Sequence, residues 1–402
     1  MKKVICMLLA GLMALSMCAC GGDTADSSSA ANSIASSNGE SSSAVESKEP
    51  VVPEVNDYSK RVYNVGDILD YLKIDGRYAV TKTDAMIGYE DCISYDHTAQ
   101  LLAFNADCEG DITVEITLKV GTTENRASHY YLAVVDGVEQ RVSARGLLGS
   151  EYKSTITVAT GLAKGKHEIK LYRQSELLHG VENIISITMN GVLTEKPSDN
   201  ELYIEVLGDS ITAGYGNLTT GEDTDDPSGP AKSSGTDTYA FLAAKQLNAD
   251  ISVVARSGLA FSNASDPIAP YWKSVSFARQ TSLGEYKAER KPDVVVINLG
   301  TNDESLCRKS NTAYSEVQDD AVALLKMVRE TYADAKIVWF YGTMDTGLTD
   351  VIRNAVDEAG GEANGFYFLL GEKNFMGGGG HPNADAHKSN GKILADYIKT
   401  IL

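Results

Sequence analysis

Three short apolar runs in the second half of the chain each end in residues able to do chemistry. The first, Leu202 to Leu207, passes into Gly208-Asp209-Ser210-Ile211-Thr212-Ala213-Gly214-Tyr215-Gly216. A serine at a strand-to-helix turn has an exposed hydroxyl and an unpaired backbone N–H, because the first N–H groups of a helix have no partner within it. The G-x-S-x-G elbow is absent, since Thr212 stands where that motif requires glycine. The second run, Ile251 to Ala255, ends in Arg256-Ser257-Gly258, where a glycine lets the backbone approach a ligand closely. The third, Val294 to Leu299, ends in Gly300-Thr301-Asn302-Asp303, and the Asn302 amide could donate to an oxyanion. A hydroxyl nucleophile also needs a base. Of the six histidines, only His381 and His387 fall in this part of the chain. His381 lies in Gly377-Gly378-Gly379-Gly380-His381-Pro382-Asn383, the loop after the last apolar run, and is the candidate base. His387 falls inside a helical pattern, where a surface or capping role is expected. Each motif has a plain structural alternative: an N-cap serine, a turn glycine, an Asx turn.

These residues need strands to carry them. After Lys196-Pro197 the rhythm is strand then helix, with further buried-strand runs at Ile337 to Tyr341 and Gly365 to Leu370. Amphipathic helices are read at Ser315 to Tyr332 and Ala386 to Leu402. That alternation predicts a three-layer α/β domain over 196–402, a parallel sheet flanked by helices, with ligands beyond the carboxyl ends of its strands. The connection from 217 to 237 is long, acidic and rich in Gly, Ser and Pro, as functional loops often are.

From 58 to 195 the pattern is different. Residues 111–120 alternate with period two, and 130–135 and 138–142 flank the hairpin signal Asp136-Gly137. Strand-like runs follow at 152–159, 167–172 and 184–189, and no convincing helix lies among them. An all-β, jelly-roll-like sandwich is expected. Cys92 and Cys108 could pair, although two cysteines sixteen apart are more often small buried hydrophobes.

The N-terminus reads as an export signal. Lys2 and Lys3 precede an apolar stretch from Val4 to Met17, shorter than the roughly 20 residues of a membrane span. It ends in Leu15-Ser16-Met17-Cys18-Ala19-Cys20-Gly21-Gly22, which resembles a bacterial lipobox, with Cys20 as the lipidated residue. The signal is placed at 1–20 and a Ser-rich disordered tether at 21–57. Seven acidic residues and one lysine give that tether a charge of −6, nearly a third of the whole chain's −19. A chain of 402 residues and 43% hydrophobic content can build more than one core. Its acidity argues against nucleic acid, whose phosphates need a basic stripe. The expected location is extracytoplasmic, on the cell surface and anchored by lipid to the bacterial membrane, with the protein a monomer.

Taken in order, Gly208-Asp209-Ser210, Gly258, Gly300-x-Asn302-Asp303 and His381 resemble the four blocks of the SGNH (GDSL-type) hydrolases. A sandwich directly before them is similar to carbohydrate esterase family 2, the acetyl-xylan-esterase-like branch. The segments Leu299-Gly300-Thr301-Asn302-Asp303, His381-Pro382-Asn383 and His167-Glu168-Ile169-Lys170-Leu171-Tyr172-Arg173 fit that branch. The resemblance implies Ser210 as nucleophile, His381 as general base, and an oxyanion hole from the N–H groups of Ser210 and Gly258 with the Asn302 side chain. It implies removal of O-acetyl groups from acetylated xylan or glucomannan. Lysophospholipase, thioesterase or envelope-glycan deacetylase chemistry, or a non-catalytic glycan-binding lipoprotein, are the alternatives. Tyr215 and Trp272 are candidates for stacking on sugar rings. No metal-ligand spacing occurs, and a serine hydrolase needs no cofactor. One position departs from the superfamily. Gly378 occupies the place, three before the histidine, where an aspartate usually stands. A main-chain carbonyl among the four glycines is then expected to orient His381, with Asp345 as the alternative acid.

Overall fold

The structure is a computed structural model that describes residues 57–83, 88, 90–120, 128–148, 151–219, 229–278, 283–310 and 313–402. The expected export signal, Cys20 and all of the tether but Asp57 lie outside the described residues. From Val55 to Leu402 the chain is one compact unit.

Ten strands form the first part: β1 (Lys60–Asn64), β2 (Lys73–Asp75), β3 (Ala79–Lys82), β4 (Asp91–Tyr95), β5 (Leu101–Val120), β6 (Ser128–Val135), β7 (Val138–Arg145), β8 (Leu147–Leu148), β9 (Tyr152–Arg173) and β10 (Gly180–Leu193). Their order is β3-β4-β10-β5-β9-β6-β7, with β1 on β10 and with β2 and β8 on β5. The period-two reading of 111–120 holds, because Ile112, Val114, Ile116 and Leu118 are fully buried in one core. Asp136 and Gly137 turn the β6–β7 hairpin with φ of 52° and 81°, matching the right-handed twist of the strands. The runs at 152–159 and 167–172 are one strand, not two. Gly161 and Gly165 take φ of 61° and 153°, and the register with β5 shifts around Gly110, so irregular pairing bridges a segment whose glycines suggest a break. Cys92 and Cys108 are buried and form no disulfide.

The second part is a parallel sheet of β11 (Tyr203–Gly208), β12 (Asp250–Ala255), β13 (Val294–Asn298), β14 (Lys336–Tyr341) and β15 (Phe366–Leu370). The order is β12-β11-β13-β14-β15. Residues alternate between two cores. Val294, Val296 and Val338 pack beneath α2 (Tyr239–Leu247) and α7 (Ala384–Ile401), whereas Val295, Ile297 and Ile337 face α5 (Tyr314–Thr331) and α6 (Thr349–Glu358). Between β11 and α2 lies the short α1 (Ser210–Ala213); α3 (Ala269–Trp272) and α4 (Thr301–Ser310) precede α5. The chain crosses from β11 to β12 on one side and from β12 back past β11 to β13 on the other, the change of direction beside which open α/β sheets bind ligands.

Buried charges join the two parts. Arg77 of the β-part is 1% exposed, ion-pairs with Glu205 of β11 at 3.2 Å, and donates to the carbonyls of Trp272 and Ser274. Lys73 pairs with Asp250 at 2.7 Å. Arg141 donates to the carbonyls of Pro230, Ala231 and Ser233 in the long acidic connection. Residues 220–228 of that connection lie outside the described residues. Among the described residues no helix is long and apolar enough to cross a membrane.

Candidate active site

Six consecutive buried residues make β11 a central strand, and Gly208 ends it because a side chain there would overlap Thr212. Asp209 caps the next turn, accepting the Ile211 N–H at 2.9 Å. Ser210 opens α1, and Gly214 stops the helix after one turn in the left-handed conformation, φ 81°. The Ser210 N–H is thus a first-turn donor with no helical partner. Gly208 pairs in register with Ala255 of β12 and Asn298 of β13, so all three strands end at the same level. Ser210, Gly258 and Asn302 follow two, three and four residues beyond.

The histidine arrives from the loop after β15. His381 Nε2 lies 2.7 Å from Ser210 Oγ and Nδ1 lies 3.2 Å from the Gly378 carbonyl. A carbonyl only accepts, so Nδ1 carries the proton and Nε2 presents its lone pair to the Ser210 O–H. Burial lowers the pKa of His381, against the opposing pull of the Gly378 and Gly379 carbonyls, which keeps the ring a neutral base. Asp345 is engaged elsewhere: it pairs with Arg308 at 3.5 Å and Lys373 at 3.9 Å and accepts the Thr346 N–H. The group on Nδ1 is the main-chain carbonyl.

Two glycines set this geometry: Gly378, noted in the sequence for the missing aspartate, and Gly216, which was not singled out there. Gly378 N–H donates to the Gly216 carbonyl at 2.9 Å, tying the histidine loop to the loop after α1. Gly216 has φ of 62°, and a Cβ on it would lie 2.9 Å from the Gly378 oxygen. Tyr215, half-buried, places its ring centroid 4.6 Å from that of His381 and so stands at the site.

Gly258 has φ of 91°, is exposed, and a Cβ there would meet nothing within 4 Å. Its N–H makes no hydrogen bond among the described residues. Asn302 Nδ2 donates to the Leu259 carbonyl at 2.7 Å and lies 3.5 Å from Asp209 Oδ2, the limit of a hydrogen bond. One amide hydrogen is therefore committed to the glycine loop, and the second has only the long contact with Asp209. Asp303 is buried and accepts the Phe261 and Ser262 N–H groups; burial pushes it up to about 6. Burial, with the Asp303 charge nearby, likewise raises Asp209 to about 7.

One expectation needs correction. Trp272 is 3% exposed, donates through Nε1 to Glu205 at 2.6 Å and packs in the core, so it offers no face to a sugar. Of the two roles expected of His387, surface or capping, the structure shows capping. It is 2% exposed and its Nδ1 accepts the Tyr239 N–H at 3.1 Å, capping α2 from a different helix. The sequence also gave no sign of Glu176. This buried residue of the β-part accepts from both the N–H and the Oγ of Ser257, at 2.8 and 2.7 Å.

Residues 206–388 match the GDSL-like Lipase/Acylhydrolase family. The chain is 32% identical over 222 residues to the cellulase/esterase CelE of Acetivibrio thermocellus, covering 52% of this chain and 26% of that protein. It is 27% identical over 157 residues to an acetylxylan esterase / glucomannan deacetylase of Cellvibrio japonicus, covering 37% of this chain and 43% of that one. The chain thus spans less than half the length of these curated relatives. Among solved structures it resembles the acetyl xylan esterase Est2A of Butyrivibrio proteoclasticus, at a TM-score of 0.71 and 19% identity over 85% of this chain and 98% of that one. It also resembles a family two carbohydrate esterase of Clostridium thermocellum in complex with cellohexaose, at 0.70 and 24%, over 82% and 98%. The serine, the histidine and the strand-end loops thus meet within the segment, residues 206–388, that matches the GDSL-like lipase/acylhydrolase family, in a chain that shares the fold of the family two carbohydrate esterases.

Proposed function

We propose that the protein is a serine esterase that removes O-acetyl groups from plant-type polysaccharides, acetylated xylan or glucomannan. The observation that carries this reading is the 2.7 Å contact of His381 Nε2 with Ser210 Oγ while the Gly378 carbonyl holds Nδ1. Ser210 Oγ attacks the acetyl carbonyl as His381 takes its proton. The N–H groups of Ser210 and Gly258 and the Asn302 amide receive the oxyanion. His381 then protonates the departing sugar oxygen, leaving acetate esterified to Ser210, and a water activated by the same ring releases it. A two-residue machine suffices because orientation of the imidazole, the service usually given by a carboxylate, falls to a carbonyl. Among the described residues no carboxylate pairs with His381, so the imidazolium formed in the transition state relies on that dipole. The similarity to proteins named acetylxylan esterase and glucomannan deacetylase supports the substrate class. The basic n-region, short apolar stretch and Cys20 place the enzyme, in this reading, on a lipid anchor outside the cytoplasm, with its acidic tether as spacer.

The test is acetate release from acetylated xylan and glucomannan by the purified protein beside Ser210→Ala. Release lost in the variant supports the esterase and ranks the glycans. No release from either, with the fold intact and no turnover of small aryl acetates, overturns it.

A further inference from the structure

We propose that Glu176 is a positioning residue for the oxyanion loop, so that the β-sandwich belongs to the catalytic machinery and is more than its support. The inference rests on the ester-hydrolase reading of Ser210 and His381. Gly258 is exposed and has no Cβ to pack, so nothing of its own fixes the direction of its N–H. That direction is set by its two neighbours. On one side, Leu259 is fully buried and its carbonyl accepts from Asn302. On the other, Ser257 is only half-buried, and its N–H and hydroxyl both donate to the Glu176 carboxylate. Two hydrogen bonds from one residue to one carboxylate fix the position and rotation of the peptide leading into Gly258.

Glu176 is itself rigidly held. It is 1% exposed and its carbonyl accepts the His179 N–H at 3.1 Å in a tight turn (Leu177–His179). Arg173, fully buried, donates to the Gly180 carbonyl at 2.6 Å and reaches the Glu176 carbonyl at 3.4 Å. Arg173 in turn pairs with Glu182, which accepts from His129 and Tyr131 within the sandwich. A continuous polar chain therefore runs from the sandwich interior to the peptide before Gly258. Glu176 touches no reacting atom and acts through Ser257.

The experiment compares the full-length protein with Glu176→Ala, Glu176→Gln and Ser257→Ala on an aryl acetate. It also follows hydrogen exchange at the Ser257 amide. Misplacing a catalytic donor by about 1 Å costs about 10²-fold, so Glu176→Ala should lose roughly 10- to 100-fold in kcat with KM within about threefold. Glu176→Gln can accept from the Ser257 N–H and donate to its Oγ, and should recover to within about fivefold of the parent. Exchange at the Ser257 amide should quicken in Glu176→Ala and return toward the parent rate in Glu176→Gln. A kcat for Glu176→Ala within twofold of the parent, with unchanged exchange, overturns the proposal. Should Glu176→Ala not fold, Ser257→Ala decides, and parental kcat there overturns it equally. If the parent itself turns over no ester, the esterase reading fails, and the exchange rates alone judge the positioning.

Discussion

Adding one methyl at Gly216 tests whether backbone contact between two loops holds Ser210 and His381 together. In Gly216→Ala the new Cβ would lie 2.9 Å from the Gly378 oxygen and 3.0 Å from its Cα. Ordinary contact begins near 3.4 Å, so the two loops must part by about half an ångström. The residue pushed is the one whose carbonyl accepts from His381 Nδ1 at 3.2 Å. A shift of that size passed to the ring would stretch the 2.7 Å Nε2–Oγ contact to the outer edge of O–H hydrogen bonding. On the scale of about 10²-fold per ångström, kcat should fall roughly tenfold. Separately, an alanine at φ of 62° carries about 1–2 kcal/mol of left-handed strain, seen as lower stability. The assay is initial-rate kinetics on an aryl acetate, with thermal unfolding of the same samples. A variant that loses stability yet keeps kcat within twofold would refute the argument, because strain would be present without displacement of the histidine.

Asn302→Ala should fold normally and lose about 10²–10³ in kcat, the usual cost of one oxyanion donor; near-parental kcat would remove that role. Asp345→Asn should retain most activity, since its carboxylate pairs with Arg308 and Lys373 and not with the histidine. Abolished activity in a folded Asp345→Asn protein would restore it as the orienting acid. The acid limb of kcat/KM should lie below pH 6.5. In the proposed mechanism His381 acts as a neutral base, and burial lowers its pKa, so protonation should silence it only at lower pH than for a free imidazole. A limb centred above 6.5 would point to a carboxylate partner, which raises a histidine.

Much of the fold was legible because its signals are local. Apolar runs of five or six residues read as buried strands whether or not their neighbours are known, and all five found their places in β11 to β15. The Asp136-Gly137 hairpin was readable because a two-residue turn with both φ positive restricts residue type so strongly. The single strand β9 was misread as two because glycines that mark a turn in isolation become bulges when a partner strand lies alongside. Trp272 was misplaced, and the surface or capping role of His387 left open, because burial depends on what packs over a residue, and for both that came from distant chain.

The identities of Ser210, Gly258, Asn302 and His381 as candidates belong to the sequence itself, since residue type and place at a strand end select them. So does the missing aspartate at position 378. Their meeting belongs to the tertiary structure, because the serine and histidine are 171 residues apart and no local rule sets a 2.7 Å contact across that distance. The choice of the Gly378 carbonyl over Asp345 was decided there too, by where the carboxylate found its cations. The part of the β-sandwich in the site is likewise a tertiary fact. Glu176 reaches Ser257 across 81 residues, and a lone glutamate between two strands carries no sequence signal of the partner that folding brings to it.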